Sequence, residues 1–204
     1  MPNLVLHGWN QEKPPLPHQL SGATWLYLTP RAFVLDSTGV GKTGTAIGLL
    51  EFLKEKGQLK EFPGPRCVIV TLATSVLGSW LADGFQQFVP HMKVSYTQDM
   101  TKKQRLKVYN DPSWEVLIVS YKTVANDIDL LTQLGFKYII FDEADALKNP
   151  AAQQTVACRT LASGCDRAIA MSATPISEVS LMGLHSIMTV LGIGDFGAKT
   201  PFER

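Results

Sequence analysis

The sequence predicts an α/β fold in which a largely parallel sheet is covered by helices on both faces. Two observations support this prediction. Short apolar runs alternate with helical segments along almost the whole chain, which is typical of repeated strand–helix units. The run from Lys137 to Phe141 is apolar toward both faces, as expected of a strand buried within a parallel sheet. With 204 residues, the chain is long enough to bury a sizeable core.

Each element is predicted from local signals. Short apolar runs predict strands at 32–35, 67–72, 93–96, 116–120, 136–141 and 168–171. The segments between them predict helices at 17–28, 43–56, 76–88, 101–109, 123–134, 151–162 and 178–191. A proline opens the first helix, Gly57 ends the second and Pro175 precedes the last. Residues 1–15 are expected to be an extended lead-in to one domain that covers residues 16–204.

Composition limits the classes of function. The formal net charge is +1, so no global basic field indicates nucleic acid, and any such site must be local. The three cysteines lack paired metal-ligand spacing and are expected to be free thiols in a reducing compartment. No apolar run is long enough to span a bilayer, and no secretory signal is visible. The sequence therefore predicts a cytoplasmic protein without a membrane partner.

The eight residues from Asp36 to Thr43 carry the most specific functional signal. They lie between a predicted strand and a predicted helix, as a phosphate-binding P-loop does. In such a loop the backbone N–H groups converge on phosphate oxygens, a lysine reaches the β and γ phosphates, and a threonine hydroxyl binds Mg²⁺. The strict pattern has glycine where this chain has Asp36, so the loop is a variant. The residues expected to bind ATP are Thr38, Gly39, Val40, Gly41, Lys42, Thr43 and Gly44.

A second signal follows the strand predicted at 136–141. Asp142 and Glu143 stand at its carboxyl end, which is the edge where ligands bind in open α/β sheets. Asp142 can share Mg²⁺ with Thr43, and Glu143 can orient or deprotonate an attacking water. An acidic pair is also compatible with a solvated turn or a helix cap. Its combination with the upstream P-loop favours the catalytic interpretation, with Lys42, Asp142 and Glu143 as the catalytic residues.

These motifs and their order resemble the first RecA-like lobe of superfamily-two helicase-type ATPases, and most closely the Swi/Snf-like group of double-stranded DNA translocases. The P-loop is similar to that group's D-E-M-G-L-G-K-T, in which aspartate occupies the place of the first glycine. Residues 142–149 are similar to its D-E-A-H-R-L-K-N. The resemblance extends from Leu16 to Phe202 and includes Leu16 to Gln19, Val68 to Val76 with Trp80 and Asp83, Leu117 to Tyr121, and Met171 to Ile176.

The resemblance implies an ATP hydrolase that uses Mg²⁺ with ATP and moves along double-stranded DNA. Enzymes of this superfamily bind ATP between two RecA-like lobes, and the second lobe supplies arginines to the γ phosphate. No arginine motif of that kind follows the first lobe in this sequence. The resemblance therefore implies that a second lobe is needed in cis or in trans, and that this chain alone turns over ATP poorly.

Further site residues are implied by the resemblance alone. Gln19 is expected to hydrogen-bond the adenine edge, unless it is an ordinary surface amide. Trp80 is expected in the core rather than as a platform for base stacking. Contacts with DNA are implied at Thr74, Ser75, Ser120 and Tyr121, and coupling between nucleotide and DNA is implied at Ser172 and Thr174. Strand-end packing is the alternative for Tyr121, and helix capping is the alternative for the coupling residues.

Several departures from the group pattern leave alternatives open. Ser37 replaces a glutamate and Ala73 replaces a proline. Asp145 replaces a histidine, which gives the D-E-A-D tetrapeptide of DEAD-box RNA helicases, and Ser172-Ala-Thr also matches that family. The RNA-binding segment that DEAD-box proteins carry after their second strand is not visible here. The alternatives to a DNA motor lobe are a DEAD-box-like RNA helicase lobe and a nucleotide-binding interaction module without turnover.

Overall fold

The protein is described by a computed structural model over residues 4–173 and 180–193. Within these ranges six strands form one sheet with the order β1-β6-β5-β2-β4-β3, and every neighbouring pair is parallel. The strands are β1 (Arg31–Leu35), β2 (Cys67–Thr71), β3 (Val94–Tyr96), β4 (Val116–Ser120), β5 (Tyr138–Phe141) and β6 (Arg167–Ser172). The sheet is thus wholly parallel in the described part of the chain.

Helices connect the strands. The α-helices are α1 (Pro17–Leu28), α2 (Lys42–Glu55), α3 (Gln86–Phe88), α4 (Lys102–Tyr109), α5 (Tyr121–Gln133), α6 (Gln153–Ser163) and α7 (Leu181–Leu191). Short 3₁₀ helices at Ala73–Ser75 and Ala144–Leu147 follow β2 and β5. None of the described helices has the length and apolar character needed to cross a membrane.

Two hydrophobic clusters pack on opposite faces of the sheet. One cluster joins the sheet to α5, α6 and α7, and the other joins it to α1 and α2. This arrangement confirms the predicted fold class. The cysteines belong to these clusters as buried free thiols, and burial raises the pKa of the Cys67 thiol.

Residues 76–88 differ from the prediction of one α-helix. Val76–Phe85 forms a π-helix, and α3 follows it directly. Gly84 of the π-helix lies close to α2, since a Cβ atom there would stand 2.9 Å from Ile47 Cδ1. The other predicted bounds within the described residues differ from the observed ones by at most two residues. The predicted start of the last helix, Glu178, lies outside the described residues.

The segment predicted to be an extended lead-in is anchored to the domain. Residues 4–16 contain no helix or strand. Trp9 is buried and stacks on Phe88 with ring centroids 4.8 Å apart. The backbone N–H of Leu4 donates to Thr24 Oγ1 on α1 at 3.1 Å. The described part of this segment therefore belongs to the packed domain.

A buried ion pair holds α4 against α5. Arg105 Nη2 donates to Asp127 Oδ1 at 2.8 Å, and the Tyr109 hydroxyl donates to Asp127 Oδ2 at 2.8 Å. Burial raises the pKa of Asp127, but the hydrogen bond and charge of Arg105 outweigh burial and lower it overall.

We expect Asp127→Ala to lower the free energy of unfolding by about 1–3 kcal/mol, because the half-buried Arg105 loses its ion pair and keeps only its hydrogen bond to Met100 O. The matched control is Asp166→Ala, which breaks the exposed pair with Lys137 at 3.8 Å and should cost less than about 1 kcal/mol. Urea unfolding of both variants measures the difference. Equal losses would show that the Arg105–Asp127 pair does not stabilise the fold as described.

Candidate functional site

The predicted site residues follow strands of one parallel sheet, so they meet at its carboxyl edge. The P-loop follows β1, the acidic pair follows β5, and Ser172 ends β6, which lies between these two strands. The backbone N–H of Asp36 donates to Ser172 O at 3.2 Å and that of Asp142 to Val70 O at 2.8 Å. These bonds continue the ladder beyond β1 and β5 and fix the position of both motifs.

The P-loop depends on glycine at its two left-handed positions. Gly39 has φ +78° and Gly41 has φ +85°, a region that side chains rarely adopt. Gly41 is also the N-cap of α2, whose positive end favours anions. Lys42 Nζ donates to the carbonyl oxygens of Asp36 at 2.8 Å and Ser37 at 2.9 Å. The ammonium group is therefore held at the mouth of the loop.

Gln19 supports the P-loop from α1. Its Oε1 accepts a hydrogen bond from Leu16 N at 2.9 Å, and its Nε2 donates to Gly41 O at 3.3 Å. A Cβ atom at Gly41 or Gly44 would lie 2.4 Å from Gln19 Nε2. Both polar ends of the buried amide are thus used within the chain, and the expected contact with adenine stays a prediction.

Asp142 is buried, with 8% of its surface exposed. Its Oδ2 accepts hydrogen bonds from Trp80 Nε1 at 2.8 Å and from Thr71 Oγ1 at 3.1 Å. Both donors hold the same oxygen. The carboxylate is therefore fixed in orientation by the π-helix and by the end of β2.

Glu143 combines backbone strain with charge repulsion. It has φ +51° in the left-handed region, where a non-glycine residue is uncommon. Burial and the charges of Asp142 and Asp145 raise the pKa of Glu143, while the charge of Lys42 lowers it. The lysine of the P-loop is thus near enough to act on this carboxylate.

Asp145 links the acidic motif to the end of β6. Ser172 Oγ donates to Asp145 Oδ2 at 3.0 Å, and Lys148 Nζ lies 3.0 Å from Asp145 Oδ1. Ser172 also accepts the backbone bond from Asp36 described above. One buried serine therefore touches both the acidic motif and the strand that leads into the P-loop.

Comparison with known proteins assigns the family. A family model described as the SNF2-related domain matches residues 18–204. The chain belongs to this family. The resemblance found in the sequence is thereby confirmed, as is the RecA-like fold of its ATPase lobe.

Individual relatives support the assignment of the chain to the SNF2-related family. It is 32% identical over 192 residues to helicase SWR1 of Cryptococcus neoformans, covering 89% of this chain and 14% of that protein. It is 30% identical over 191 residues to an uncharacterized ATP-dependent helicase of Mycoplasma pneumoniae, covering 91% of this chain and 17% of that protein. The chain thus spans less than a fifth of the length of either relative.

A solved structure supports the same family assignment. The SWI2/SNF2 ATPase core of Sulfolobus solfataricus in complex with double-stranded DNA superposes with a TM-score of 0.81 at 26% identity. The match covers 100% of this chain and 40% of the archaeal chain.

The residues expected to contact DNA in this SNF2-related domain differ in their exposure and in their hydrogen bonds. Thr74 is exposed and Ser75 half-buried, both in the 3₁₀ helix after β2. Ser120 Oγ accepts from Thr123 N at 3.1 Å and caps α5. Tyr121 is only 4% exposed, and its hydroxyl donates to Asp142 O at 2.8 Å. Tyr121 therefore packs beneath the site, which is the stated alternative to the expected contact with DNA. Thr174 lies outside the described residues.

Three contacts at the site were not predicted. Trp80 was expected in the core, where it lies, but its hydrogen bond to Asp142 was missed. A buried indole N–H usually needs a partner, and that rule is the signal that was available. Thr71 donates to the same carboxylate, and His18 Nε2 lies 2.8 Å from Val40 O in the P-loop. No sequence motif marks these last two contacts.

We expect Glu143→Gln to raise the free energy of unfolding at neutral pH. The pKa of Glu143 is raised above its ordinary value of 4.5 in the folded state. Its ionised form therefore destabilises the fold, and stability is lost as pH rises through the folded pKa. The gain from the variant should be largest near neutral pH and shrink below pH 4.5, where the carboxyl is protonated in both states.

The measurement is urea unfolding of wild type and variant between pH 4 and pH 8 (about the range in which the fold is expected to persist). Asp129→Asn, which removes an exposed carboxylate on α5, is the matched control and should stay within about 0.5 kcal/mol. A pH-independent gain would argue against charge repulsion at Glu143.

Proposed function

We propose that this chain is the ATP-binding and ATP-hydrolysing lobe of a double-stranded DNA translocase. The observation that carries the proposal is that the P-loop and the acidic motif meet at one sheet edge, where Ser172 accepts from Asp36 N and donates to Asp145. Membership of the SNF2-related family supports hydrolysis of ATP as the chemistry. The cytoplasmic location expected from the sequence remains a prediction.

The P-loop binds the phosphates. The backbone between Thr38 and Gly44 surrounds the N-terminus of α2, where N–H groups point toward an anion. The Lys42 ammonium exchanges its bonds to Asp36 O and Ser37 O for phosphate oxygens, which carry more negative charge. Gln19 and His18 act indirectly, because their side chains contact the loop carbonyls of Gly41 and Val40.

The residues present fit Mg²⁺. Thr43 offers a hydroxyl and Asp142 a carboxylate, and hard oxygen ligands of this kind suit a cation that keeps several waters and binds substrate phosphates. When bound, Mg²⁺ neutralises charge that develops on the β and γ phosphates. Trp80 and Thr71 hold Oδ2 of Asp142, so that Oδ1 is presented in a fixed direction.

Glu143 positions and deprotonates the attacking water. Its raised pKa makes the carboxylate a better proton acceptor than an exposed glutamate. Asp142 beside it serves the metal. Full turnover requires arginines from a second RecA-like lobe, in cis or in trans, worth a factor of about 10³–10⁵ in rate.

Double-stranded DNA is proposed as the polymer because a SWI2/SNF2 core of the same fold was solved with it. Thr74 and Ser75 are the residues best placed for phosphate contacts, since they project from the carboxyl edge after β2. Ser120 lies at the same edge, as the last residue of β4, the neighbour of β2. Ser172 and Thr174 are proposed to couple this edge to the nucleotide.

One observation favours an RNA helicase lobe as the second candidate. The Ser172–Asp145 hydrogen bond joins the two motifs that match DEAD-box proteins. A module that binds nucleotide without turnover is the third possibility. Intact Lys42, Thr43, Asp142 and Glu143 argue against it.

Nucleotide binding tests the proposed site first. Lys42→Ala should weaken Mg²⁺·ADP binding by at least about a hundredfold, because a charged donor to phosphate is removed. Its unfolding midpoint should change little, since the two hydrogen bonds that Lys42 loses are exposed to solvent. Lys107→Ala on the exposed face of α4 is the matched control and should bind as wild type does. Calorimetry that gives Lys42→Ala wild-type affinity would refute the site.

The polymer is tested on the longest gene product that contains this chain. Duplex DNA should stimulate ATP turnover more than single-stranded DNA or RNA of equal length, and less so at high salt because phosphate contacts release counterions. Thr74→Ala with Ser75→Ala should lower this stimulation several-fold (about 1 kcal/mol of lost contacts) and leave ATP affinity unchanged.

Thr132→Ala, on the exposed side of α5, is the matched control for the loss of a hydroxyl. If RNA stimulates most, the DEAD-box-like motifs are the true functional signal and the DNA proposal fails.

A further inference from the structure

A cavity of about 240 Å³ lies at the edge of the sheet opposite the P-loop. Its walls come from segments that precede three neighbouring strands: Arg66 before β2, Pro112 before β4 and Leu134 before β5. Phe62, Tyr109 and Asp111 also line it. Nothing in the proposed ATPase mechanism uses these residues.

Arg66 is the unusual group in this cavity. Only 3% of the residue is exposed, and its guanidinium lies 4.0 Å from the ring centroid of Trp114 and 5.2 Å from that of Phe62. It makes one hydrogen bond in the described part of the chain, from Nη2 to Leu134 O at 3.0 Å. A guanidinium has five N–H donors, and this hydrogen bond uses one of them.

Within the described part of the chain, the charge of Arg66 is not matched by an ion pair. The ion pairs formed among the described residues do not include Arg66, whereas Arg105 is paired with Asp127. Burial lowers the pKa of Arg66, as expected for a cation that lacks a counter-charge. A ligand that supplies one negative charge would recover the cost of burying it.

The cavity selects among anions. Its volume is below the range of about 300–1,000 Å³ typical of sites for whole small molecules, so it suits one side chain. The planar guanidinium matches a carboxylate bidentately. Asp111 lines the same space and disfavours a multiply charged phosphate, but its carboxylate can accept a backbone N–H. Phe62, 59% exposed, adds apolar surface.

We infer that this cavity is a docking site for a partner polypeptide, which inserts the carboxylate of a glutamate or aspartate side chain against the Arg66 guanidinium. The Phe62 and Trp114 rings exclude water around the pair, and Asp111 accepts an N–H from the partner's backbone. Because the cavity is at the opposite edge from the P-loop, docking leaves the nucleotide site open.

The test uses N-acetylglutamate N-methylamide, in which the side-chain carboxylate is the only charge. Two-dimensional ¹H–¹⁵N NMR of the full chain follows the titration to about 50 mM, a range suited to a millimolar fragment. We expect saturable shifts at Arg66, Asp111 and Leu134. The matched glutamine amide should bind at least about tenfold more weakly, because it lacks a charge-assisted pair.

Variants separate the contributions. Arg66→Lys keeps the positive charge but loses the planar guanidinium that can bind a carboxylate bidentately. It should weaken binding of the glutamate fragment several-fold. Asp111→Asn keeps an oxygen that can accept from Ser113 N, removes the like charge and should tighten binding. Lys107→Gln removes a cation from exposed α4 and should change nothing.

The inference fails if the glutamate fragment does not saturate, if it binds no better than the glutamine fragment, or if its shifts fall at the P-loop edge. Inorganic phosphate binding more tightly than glutamate would assign the cavity to a phosphate ligand instead. Acetate binding as tightly as the capped fragment would show that a peptide backbone contributes nothing, and would overturn the polypeptide partner.

Discussion

The parallel register of β1, β6 and β5 is the constraint on which the nucleotide edge depends. Asp36 N bonds to Ser172 O across the end of β1 and β6, and Asp142 N bonds to Val70 O across the end of β5 and β2. A slip of one residue in either pair would turn the side chains at that strand end to the opposite face of the sheet. The buried apolar residues of both faces resist such a slip, because it would exchange the two hydrophobic clusters. Core packing thereby sets the geometry of the site.

The acidic residues of the site reduce the stability that the core provides. Three carboxylates follow β5 within four residues, and Glu143 has a left-handed backbone that costs free energy of order 1–3 kcal/mol. Two of these carboxylates are compensated by specific partners: Trp80 and Thr71 hold Asp142, while Ser172 and Lys148 hold Asp145. Glu143 is compensated least, and this is the carboxylate that we propose as the proton acceptor.

Periodicity and motif order predicted the sheet, the two helix layers and the P-loop, because these depend on local residue types and on spacing. β4 and α1 have the predicted bounds without change. The π-helix was not predictable, since its widened turns depend on the approach of Gly84 to Ile47 on another helix. Gln19, Tyr121 and Trp80 illustrate a related limit. Gln19 was expected to contact adenine, Tyr121 to contact DNA and Trp80 to lie in the core. Only the tertiary fold decides which buried polar atom finds which partner.

The helix dipoles give the two edges of the sheet opposite partial charges. Helices of a parallel α/β fold run back against the strands, so their positive ends lie at the P-loop edge and their negative ends at the other. Three arginines at strand starts meet these negative ends. Arg31 bonds to carbonyls that end α6 and α7, and Arg167 to those that end α1. Arg66 bonds to a single carbonyl at the end of α5. Of these three arginines, only Arg66 lines the cavity of about 240 Å³. The helix dipoles favour phosphate at the P-loop edge, whereas the guanidinium at the other edge is incompletely neutralised.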